Sequence, residues 1–185
     1  GEIRDEETAS LAINAALTGH LVLSTLHTNS AAGALPRLLD MKAEPFLIAS
    51  TVNVIVAQRL VRRLCPTKKE YFLNKAELKD LGENIDLALV LKFLKEERIV
   101  GPNESWEKIK FYKPHPSKDC EDGYKDRVGI HEVLRMSEAV KNLLMQSATA
   151  DAIEEQAKKE GMITMLEDGI IKAAQGITTI EEVLR

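Results

Sequence analysis

The sequence contains only two cysteines, Cys65 and Cys120, among its 185 residues. A secreted domain of this size that depended on a disulfide framework would carry more of them, so we expect a reducing compartment and two free thiols. Cationic residues are not in excess either, because 25 Lys and Arg stand against 29 Asp and Glu, for a net charge of −4. This balance argues against nucleic acid as a partner, since binding to phosphates depends on cationic charge.

Long apolar segments are also missing from the sequence. No apolar run approaches the roughly 18 residues of a membrane-spanning helix, and the chain does not open on a charged-then-apolar signal peptide. Hydrophobic residues nevertheless make up 44% of the chain and charged residues 29%, the ordinary mixture of a globular protein with a buried core. We therefore expect a cytoplasmic globular chain with no direct insertion into a membrane.

The first forty residues alternate between strand-like and helix-like patterns. Gly1–Asp5 has the pattern of the end of a buried strand, Asp5 is a suitable N-cap for the helix that follows, and His20–His27 is an apolar run of strand length. This alternation predicts an α/β fold with a parallel sheet covered on both faces by helices. Glu2 and His27 fall at the carboxyl ends of the two strands, where such sheets bind ligands, and both are candidate site residues for that reason.

The remainder of the chain divides by composition. Apolar residues recur at helical spacing from Glu44 to Ala57, and residues 67–114 are rich in Lys and Glu, with helical patterns at 75–81 and 86–97 that indicate a surface insertion. Arg127–Leu134 is a strand pattern, and helices follow it to the end of the chain. Four residues are suitable N-caps for these last helices: Ser137, Thr149, Thr164 and Thr179. The last two have a glutamate in the capping-box position, Glu167 and Glu182.

Four segments, in this order, resemble motifs of the secretion ATPases that drive type II secretion and type IV pilus assembly. Gly1–Ala9 resembles the Walker B segment of that family, and Thr18–Asn29 resembles its histidine box. Gln58–Pro66 and Gly123–Leu134 are similar to two later landmarks. The resemblance covers the whole chain except the insert at residues 67–114. The presence of that insert and the Gly-Tyr-Lys-x-Arg-x-Gly-Ile sequence within the fourth segment look like the assembly (extension) and secretion branch of the family.

The resemblance implies a fold and a function for the chain. The implied fold is a partial RecA-like P-loop NTPase domain, its C-terminal half with a parallel sheet over residues 1–66, then a charged insert over 67–122 and a mainly helical C-terminal domain over 123–185. The implied function is that of a homo-hexameric motor that couples ATP hydrolysis to pilin polymerisation through an inner-membrane platform protein. A type II secretion ATPase that powers pseudopilus assembly, or a non-catalytic interaction module, stays open as the alternative.

The same resemblance implies roles for three side chains. Glu2 takes the Walker B position and would support Mg²⁺ through a coordinated water, and His27 takes the histidine-box position near the terminal phosphate of ATP. Arg4 either contacts nucleotide across a subunit boundary or forms a structural ion pair. The phosphate loop G-x-x-x-x-G-K-[ST] does not occur in these 185 residues. We therefore expect the chain to be the C-terminal portion of an ATPase and to be inactive by itself.

Many members of the family carry two C-x-x-C pairs that bind a structural zinc ion. Here Lys68 stands in place of the second thiolate of the first pair, and the second pair keeps only Cys120. A tetrathiolate site is excluded, while a mixed site from Cys65, Cys120 and His115 stays open. We expect neither zinc nor a disulfide, with packing of the insert in place of the metal.

A run of cationic side chains follows the predicted helix at 44–57. In a ring-forming family such a run is more typical of a subunit interface or a solvated face than of a nucleic-acid or lipid patch. Its members are Arg59, Arg62, Arg63, Lys68 and Lys69.

Overall fold

The computed structural model describes residues 1–118 and 120–185 and shows a mixed α/β chain. In chain order its elements are α1 (Glu6–Leu17), α2 (Ala34–Asp40), α3 (Pro45–Thr51), β1 (Val54–Leu64), β2 (Lys68–Tyr71), α4 (Lys75–Gly82), α5 (Leu87–Glu96), a 3₁₀ turn (Trp106–Lys108), β3 (Phe111–Pro114), β4 (Tyr124–Arg135), α6 (Glu138–Met145), α7 (Ala150–Lys159), α8 (Met165–Ala174) and α9 (Ile180–Leu184). β1 pairs with β4, and β2 pairs with β3 in antiparallel orientation. Among the described residues, no helix combines the length and the apolar character needed to cross a bilayer.

Packing divides the chain into two compact units, each with a core of its own. The first unit comprises Gly1–Ala57 and Glu132–Ile163, and the second comprises Gln58–His131 and Thr164–Arg185. The sequences of β1 and β4 are therefore divided between the two units. The domain boundaries implied by the family resemblance follow motifs rather than packing, and they stay predictions.

The core of the first unit is formed by α2, α3, α6, α7 and the end of β4. Its fully buried side chains include Leu35, Ile48, Leu134, Val140 and Ile153. Burial of each such side chain contributes roughly 1.5–3 kcal/mol to stability. Because both sequence segments of the unit supply these side chains, residues 132–163 hold α2 and α3 in place.

The prediction of a helix from Glu44 to Ala57 is wrong for the second half of that segment. Helix α3 ends at Thr51, and β1 begins at Val54. The residues from Val52 onward are mainly β-branched, and such side chains lose rotamer freedom in a helix but pack well in a strand. The local preference for a strand outweighs the helical spacing of the apolar residues.

The predicted parallel strands meet at a single point within the described residues. Glu2 and Thr25 form an isolated parallel bridge, and the Ile3 N–H donates to the Thr25 carbonyl at 2.8 Å. Residues 20–24 belong to no strand, and Leu21 and Leu23 are 88% and 83% exposed. The parallel direction of this pairing agrees with the prediction. A continuous parallel sheet is not formed among the described residues, because a strand needs a partner backbone along its length and these two segments share only one bridge.

The helix boundaries follow the capping signals closely. The Asp5 carboxylate accepts the Thr8 N–H at 2.9 Å and begins α1, and Gly19, just beyond its end, has the positive φ of 88° that such a position favours. The four predicted N-caps of the last helices are confirmed, since each side chain accepts a backbone N–H of the first turn: Ser137, Thr149, Thr164 and Thr179.

The core of the second unit joins residues of the lysine- and glutamate-rich segment to the last two helices. The predicted helices at 75–81 and 86–97 are confirmed as α4 and α5. Their buried residues Leu81 and Leu94 share one cluster with Phe111 of β3 and with Ile170 and Val183 of α8 and α9. The segment that we interpreted as a surface insertion is therefore part of a common core with the C-terminal helices.

One predicted capping box is formed and the other is not. Glu167 returns its carboxylate to the Thr164 N–H at 2.8 Å, as predicted. Glu182 instead turns its carboxylate to Arg62, accepting the guanidinium at 2.6 Å and the Arg62 N–H at 3.1 Å. A charged, two-point partner outcompetes a single backbone N–H for the same carboxylate.

The prediction that the cysteines stay as thiols is wrong, because Cys65 and Cys120 form a disulfide. Their Cα atoms are 6.7 Å apart, and both residues are buried. Ser117 and Cys120 exchange backbone hydrogen bonds at 2.9 and 3.1 Å, and the Cys65 N–H donates to the Gly123 carbonyl at 3.0 Å. These backbone contacts bring two cysteines together that are 55 residues apart in sequence.

We expect reduction of the Cys65–Cys120 disulfide to lower the free energy of unfolding by about 4 kcal/mol, the loop-entropy value for a closed loop of this order of length. Urea denaturation with and without a thiol reductant measures the difference. The Cys65→Ser/Cys120→Ser variant is the control and should not respond to the reductant. Equal midpoints for the oxidised and reduced native chain would contradict the prediction.

We expect the Arg62–Glu182 pair to stabilise the second unit at neutral pH and to lose its effect in acid. The hydrogen bond from Arg62 holds the pKa of Glu182 below its ordinary value of 4.5. A lowered carboxyl pKa gives a contribution that is complete above the ordinary value and disappears as the pH falls through the lowered one. Glu182→Gln should therefore cost about 1 kcal/mol at pH 7, a small figure because the Arg62 side chain is 39% exposed.

Thermal unfolding of the native chain and of Glu182→Gln, followed from neutral pH to below pH 4, measures this loss. The two melting temperatures should converge in acid. A constant difference at every pH would show that Glu182 acts through packing and not through its charge.

Candidate functional site

Three of the sequence-predicted site residues lie together at the parallel bridge. The Glu2 carboxylate lies between two cationic or polar partners: Arg4 Nη2 is 2.6 Å from Oε2, and His27 Nε2 is 2.8 Å from Oε1. The Glu2 side chain is 21% exposed, whereas the side chains of Arg4 and His27 are 74% and 89% exposed. The carboxylate is thus sheltered, and its two partners are open to solvent.

Three hydrogen bonds to the backbone hold this arrangement. The Ile3–Thr25 hydrogen bond sets residue 2 beside the segment that leads to His27. On one side, the Ser24 hydroxyl donates to the Gly1 carbonyl. On the other, the Arg4 N–H donates to the Thr8 hydroxyl at 3.3 Å, so the first turn of α1 restrains the backbone of Arg4.

The neighbours of Glu2 favour the ionised form of its carboxyl group. The hydrogen bond from Arg4 is the main cause that lowers the pKa of Glu2 below 4.5, and His27 acts in the same direction against the effect of burial. The same contact raises the pKa of Arg4. At neutral pH the site therefore presents a carboxylate that can only accept hydrogen bonds or bind a cation.

The site opens into a shallow cleft of about 250 Å³. Besides the three site residues, its lining contains Ile3, Met41 and the exposed Arg37 of α2. Arg4, Arg37 and His27 supply donors around a single carboxylate, a set suited to an anionic ligand that carries a hydrated cation. Sequence reasoning missed Arg37, because only the fold brings α2 to the bridge.

Mg²⁺, which the family resemblance implies, fits Glu2 to a limited extent. Glu2 Oε1 is buried and receives no well-directed hydrogen bond from residues 1–118 and 120–185, although His27 Nε2 lies nearby. An oxygen atom of this kind is the ligand type that Mg²⁺ prefers, and Mg²⁺ commonly keeps several waters. Over the same residues, no group of three or more His, Cys, Asp or Glu side chains is arranged to hold a metal. Glu2 can therefore contribute one direct or water-mediated contact, and other ligands must complete the shell.

Glu132 is a further residue of the first unit that sequence reasoning missed. It is 5% exposed, and its Oε1 accepts the Ala31 N–H at 2.5 Å. Ala31 belongs to the turn between His27 and α2, so this carboxylate fixes the segment that follows His27. The sequence contained a signal: Glu132 falls in the same alternating register as Ile130 and Leu134 of the predicted strand. The structure shows that all three side chains are buried.

Comparison with solved structures shows which fold this arrangement belongs to. The ATPase DotB of Legionella pneumophila matches all of this chain over 36% of its own length, with a TM-score of 0.56 and 22% sequence identity. The pilus retraction motor PilT with bound ADP matches all of this chain over 37% of its own length, with a TM-score of 0.58 and 22% identity. At these identities the likeness shows a shared fold.

Comparison of sequences defines the family. The family described as Type II/IV secretion system protein matches residues 1–185, and the chain belongs to it. The type IV pilus assembly ATPase PilB of Pseudomonas aeruginosa is 44% identical over 186 aligned residues, and the type II secretion system protein E of Xanthomonas campestris pv. campestris is 46% identical over 186. Each alignment includes 100% of this chain and 30% of the relative, so the chain spans about a third of the length of the curated relatives it matches.

We expect Glu132→Ala to lower the free energy of unfolding by about 2 kcal/mol, because it leaves the buried Ala31 N–H without this acceptor. Glu132→Gln should cost less, since its amide oxygen can still accept the hydrogen bond. Urea denaturation of the two variants measures both losses. Equal losses for alanine and glutamine would mean that the hydrogen bond to Ala31 does not account for the effect.

Proposed function

We propose that this chain is the C-terminal portion of a homo-hexameric motor ATPase that couples ATP hydrolysis to type IV pilus assembly at the inner membrane. The observation that carries the proposal is the sheltered Glu2 carboxylate between Arg4 and His27, at the bridge that joins the Walker B-like and histidine-box-like segments. The names of the similar proteins support a motor of pilus assembly or of type II secretion. The isolated chain is inactive in this proposal, because its sequence holds no phosphate loop.

Each residue of the site has a proposed role in hydrolysis. Glu2 stays ionised and would hold Mg²⁺ through a coordinated water. The His27 side chain is 89% exposed, and only its Nε2 faces Glu2, so its ring could donate a hydrogen bond to the terminal phosphate and need not act as a base. Arg4 keeps Glu2 charged and is a weaker contact for nucleotide. When bound, Mg²⁺ would neutralise negative charge on the phosphate oxygens.

The proposed domain organisation follows the motifs. By the motifs, residues 1–66 would be the C-terminal part of a RecA-like ATPase core, and residues 123–185 a helical C-terminal domain. Residues 67–122 would be a charged insert that shares a core with the last two helices of that domain. In the hexamer, ATP turnover between neighbouring subunits would move these parts and act on an inner-membrane platform protein that loads pilin. The protein would thus be cytoplasmic and peripheral to the membrane through its partners.

A type II secretion ATPase that powers pseudopilus assembly is the second candidate. The similar identities to a pilus assembly ATPase and to a type II secretion protein, 44% and 46%, favour neither machine. Deletion of the gene distinguishes them: loss of surface pili supports the first function, and loss of exported proteins with intact pili supports the second.

We expect Glu2→Gln and His27→Ala to reduce ATP turnover roughly 100-fold each in the longer protein that carries this chain, as is typical on removal of a positioned group. Steady-state phosphate release with Mg²⁺ measures the loss. His20→Ala is the matched control, because His20 lies in the same segment but contacts Thr18 and Ala15 at the end of α1.

The control should keep nearly full turnover, and the isolated 185-residue chain should show none. If the longer, assembled protein is itself inert, the proposal fails, and a non-catalytic interaction module becomes the better account of the chain.

A further inference from the structure

The second unit contains a cationic cleft that the proposed ATPase site does not use. Its volume is about 460 Å³, and four of its seven lining residues are arginines, against a single acidic residue. We call it the arginine cleft, and its lining residues are Arg59, Leu60, Val61, Arg62, Arg127, Glu182 and Arg185. The arginines come from β1, β4 and the end of the chain, so the fold gathers residues that are far apart in sequence.

The four arginines differ in whether they already have an ion-pair partner. Arg62 is engaged by Glu182 at 2.6 Å and by Asp122 at 3.2 Å, and its guanidinium lies 4.1 Å from the centre of the Tyr124 ring. Arg185 lies 3.8 Å from the same Glu182 carboxylate. The one acidic residue of the cleft is thus fully engaged by these two arginines.

The other two arginines of the cleft are exposed and unpaired. Within residues 1–118 and 120–185, neither Arg59 nor Arg127 takes part in an ion pair or a side-chain hydrogen bond. Each guanidinium offers five donors in a rigid fork that matches a carboxylate, and two such forks in one concave surface repel each other until an anion joins them. Exposed, unpaired arginines in a cleft are therefore available to a partner.

The lining also contains an exposed apolar contact. Leu60 is 56% exposed beside Arg59, while Val61, at 3% exposure, forms part of the buried floor. A ligand that fills the cleft would meet two cationic forks and one leucine. This combination fits a peptide that carries carboxylates next to an apolar side chain, and arginine is enriched in interfaces of this type.

We propose that the arginine cleft is a docking site for an extended acidic segment of a partner protein, with carboxylates that pair with Arg59 and Arg127 and an apolar side chain that covers Leu60. Duplex nucleic acid fits less well, because Glu182 lines the cleft and Asp126 adjoins Arg127 in a chain of net charge −4. A bilayer surface fits less well for a geometric reason: the arginines line a concavity, and a flat layer of headgroups would not reach into it. The proposal does not depend on ATP hydrolysis.

The test uses the full chain and a fluorescein-labelled peptide of glutamates and leucines, followed by fluorescence anisotropy. We expect saturable binding that weakens between about 50 and about 200 mM salt and falls roughly tenfold or more in Arg59→Ala/Arg127→Ala. Arg59→Lys/Arg127→Lys keeps the charge but not the fork, so its affinity should be intermediate. The matched control is Lys75→Ala/Lys79→Ala, which removes the same charge from α4 and should bind normally.

Folding of the double arginine variant is checked by circular dichroism and thermal unfolding, and we expect no change because both side chains are exposed. Equal loss of binding in the lysine control would overturn the proposal, since it would show attraction to net charge and not to the cleft. Absence of saturable binding would also overturn it. Tighter, cleft-dependent binding to a DNA duplex of about 20 base pairs or to phosphatidylserine vesicles, or cleft-dependent self-association in light scattering, would assign the surface to a different partner.

Discussion

The backbone hydrogen bond from Ile3 to Thr25 is the contact on which the candidate site depends. At this point the two segments that carry the site residues run parallel, and His27 Nε2 lies 2.8 Å from Glu2 Oε1. Asp5 and Thr8 fix one side of the bridge at the start of α1, and Glu132 fixes the turn that follows His27. A carboxylate held in this way needs no reorganisation to meet a cation or a polarised ligand.

The second unit depends on a different kind of constraint. Arg62 contacts Glu182, Asp122 and Tyr124, so one guanidinium joins β1 to the segment before β4 and to α9. The Cys65–Cys120 disulfide ties the same neighbourhood covalently. These contacts engage both terminal nitrogens of Arg62, whereas within residues 1–118 and 120–185 Arg59 and Arg127 form no ion pair.

Features governed by local chemistry could be predicted from the sequence, and features governed by distant contacts could not. N-caps such as Asp5 and Ser137 were found because a cap acts within one helical turn. Three features join segments that are far apart in the chain, and no rule of sequence spacing predicts them. They are the disulfide, the placement of Arg37 in the cleft of Glu2, and the placement of Arg127 in the cleft of Arg59. Glu182 shows the competition directly: the local rule assigned its carboxylate to Thr179, and a distant arginine takes it instead. Local patterns made Glu2 and His27 candidates because both end predicted strands, and the family motifs gave these two residues their expected roles.

The central claim is that the bridge makes Glu2 and His27 one functional unit. A double-mutant cycle of ATP turnover in the proposed longer ATPase tests it most directly, with Glu2→Gln, His27→Ala and both together. Groups that act as a unit are strongly non-additive, so the double variant should lose about as much activity as the more damaged single variant. If the two losses multiply instead, the residues act independently, and the account of a coupled site at the parallel bridge is contradicted.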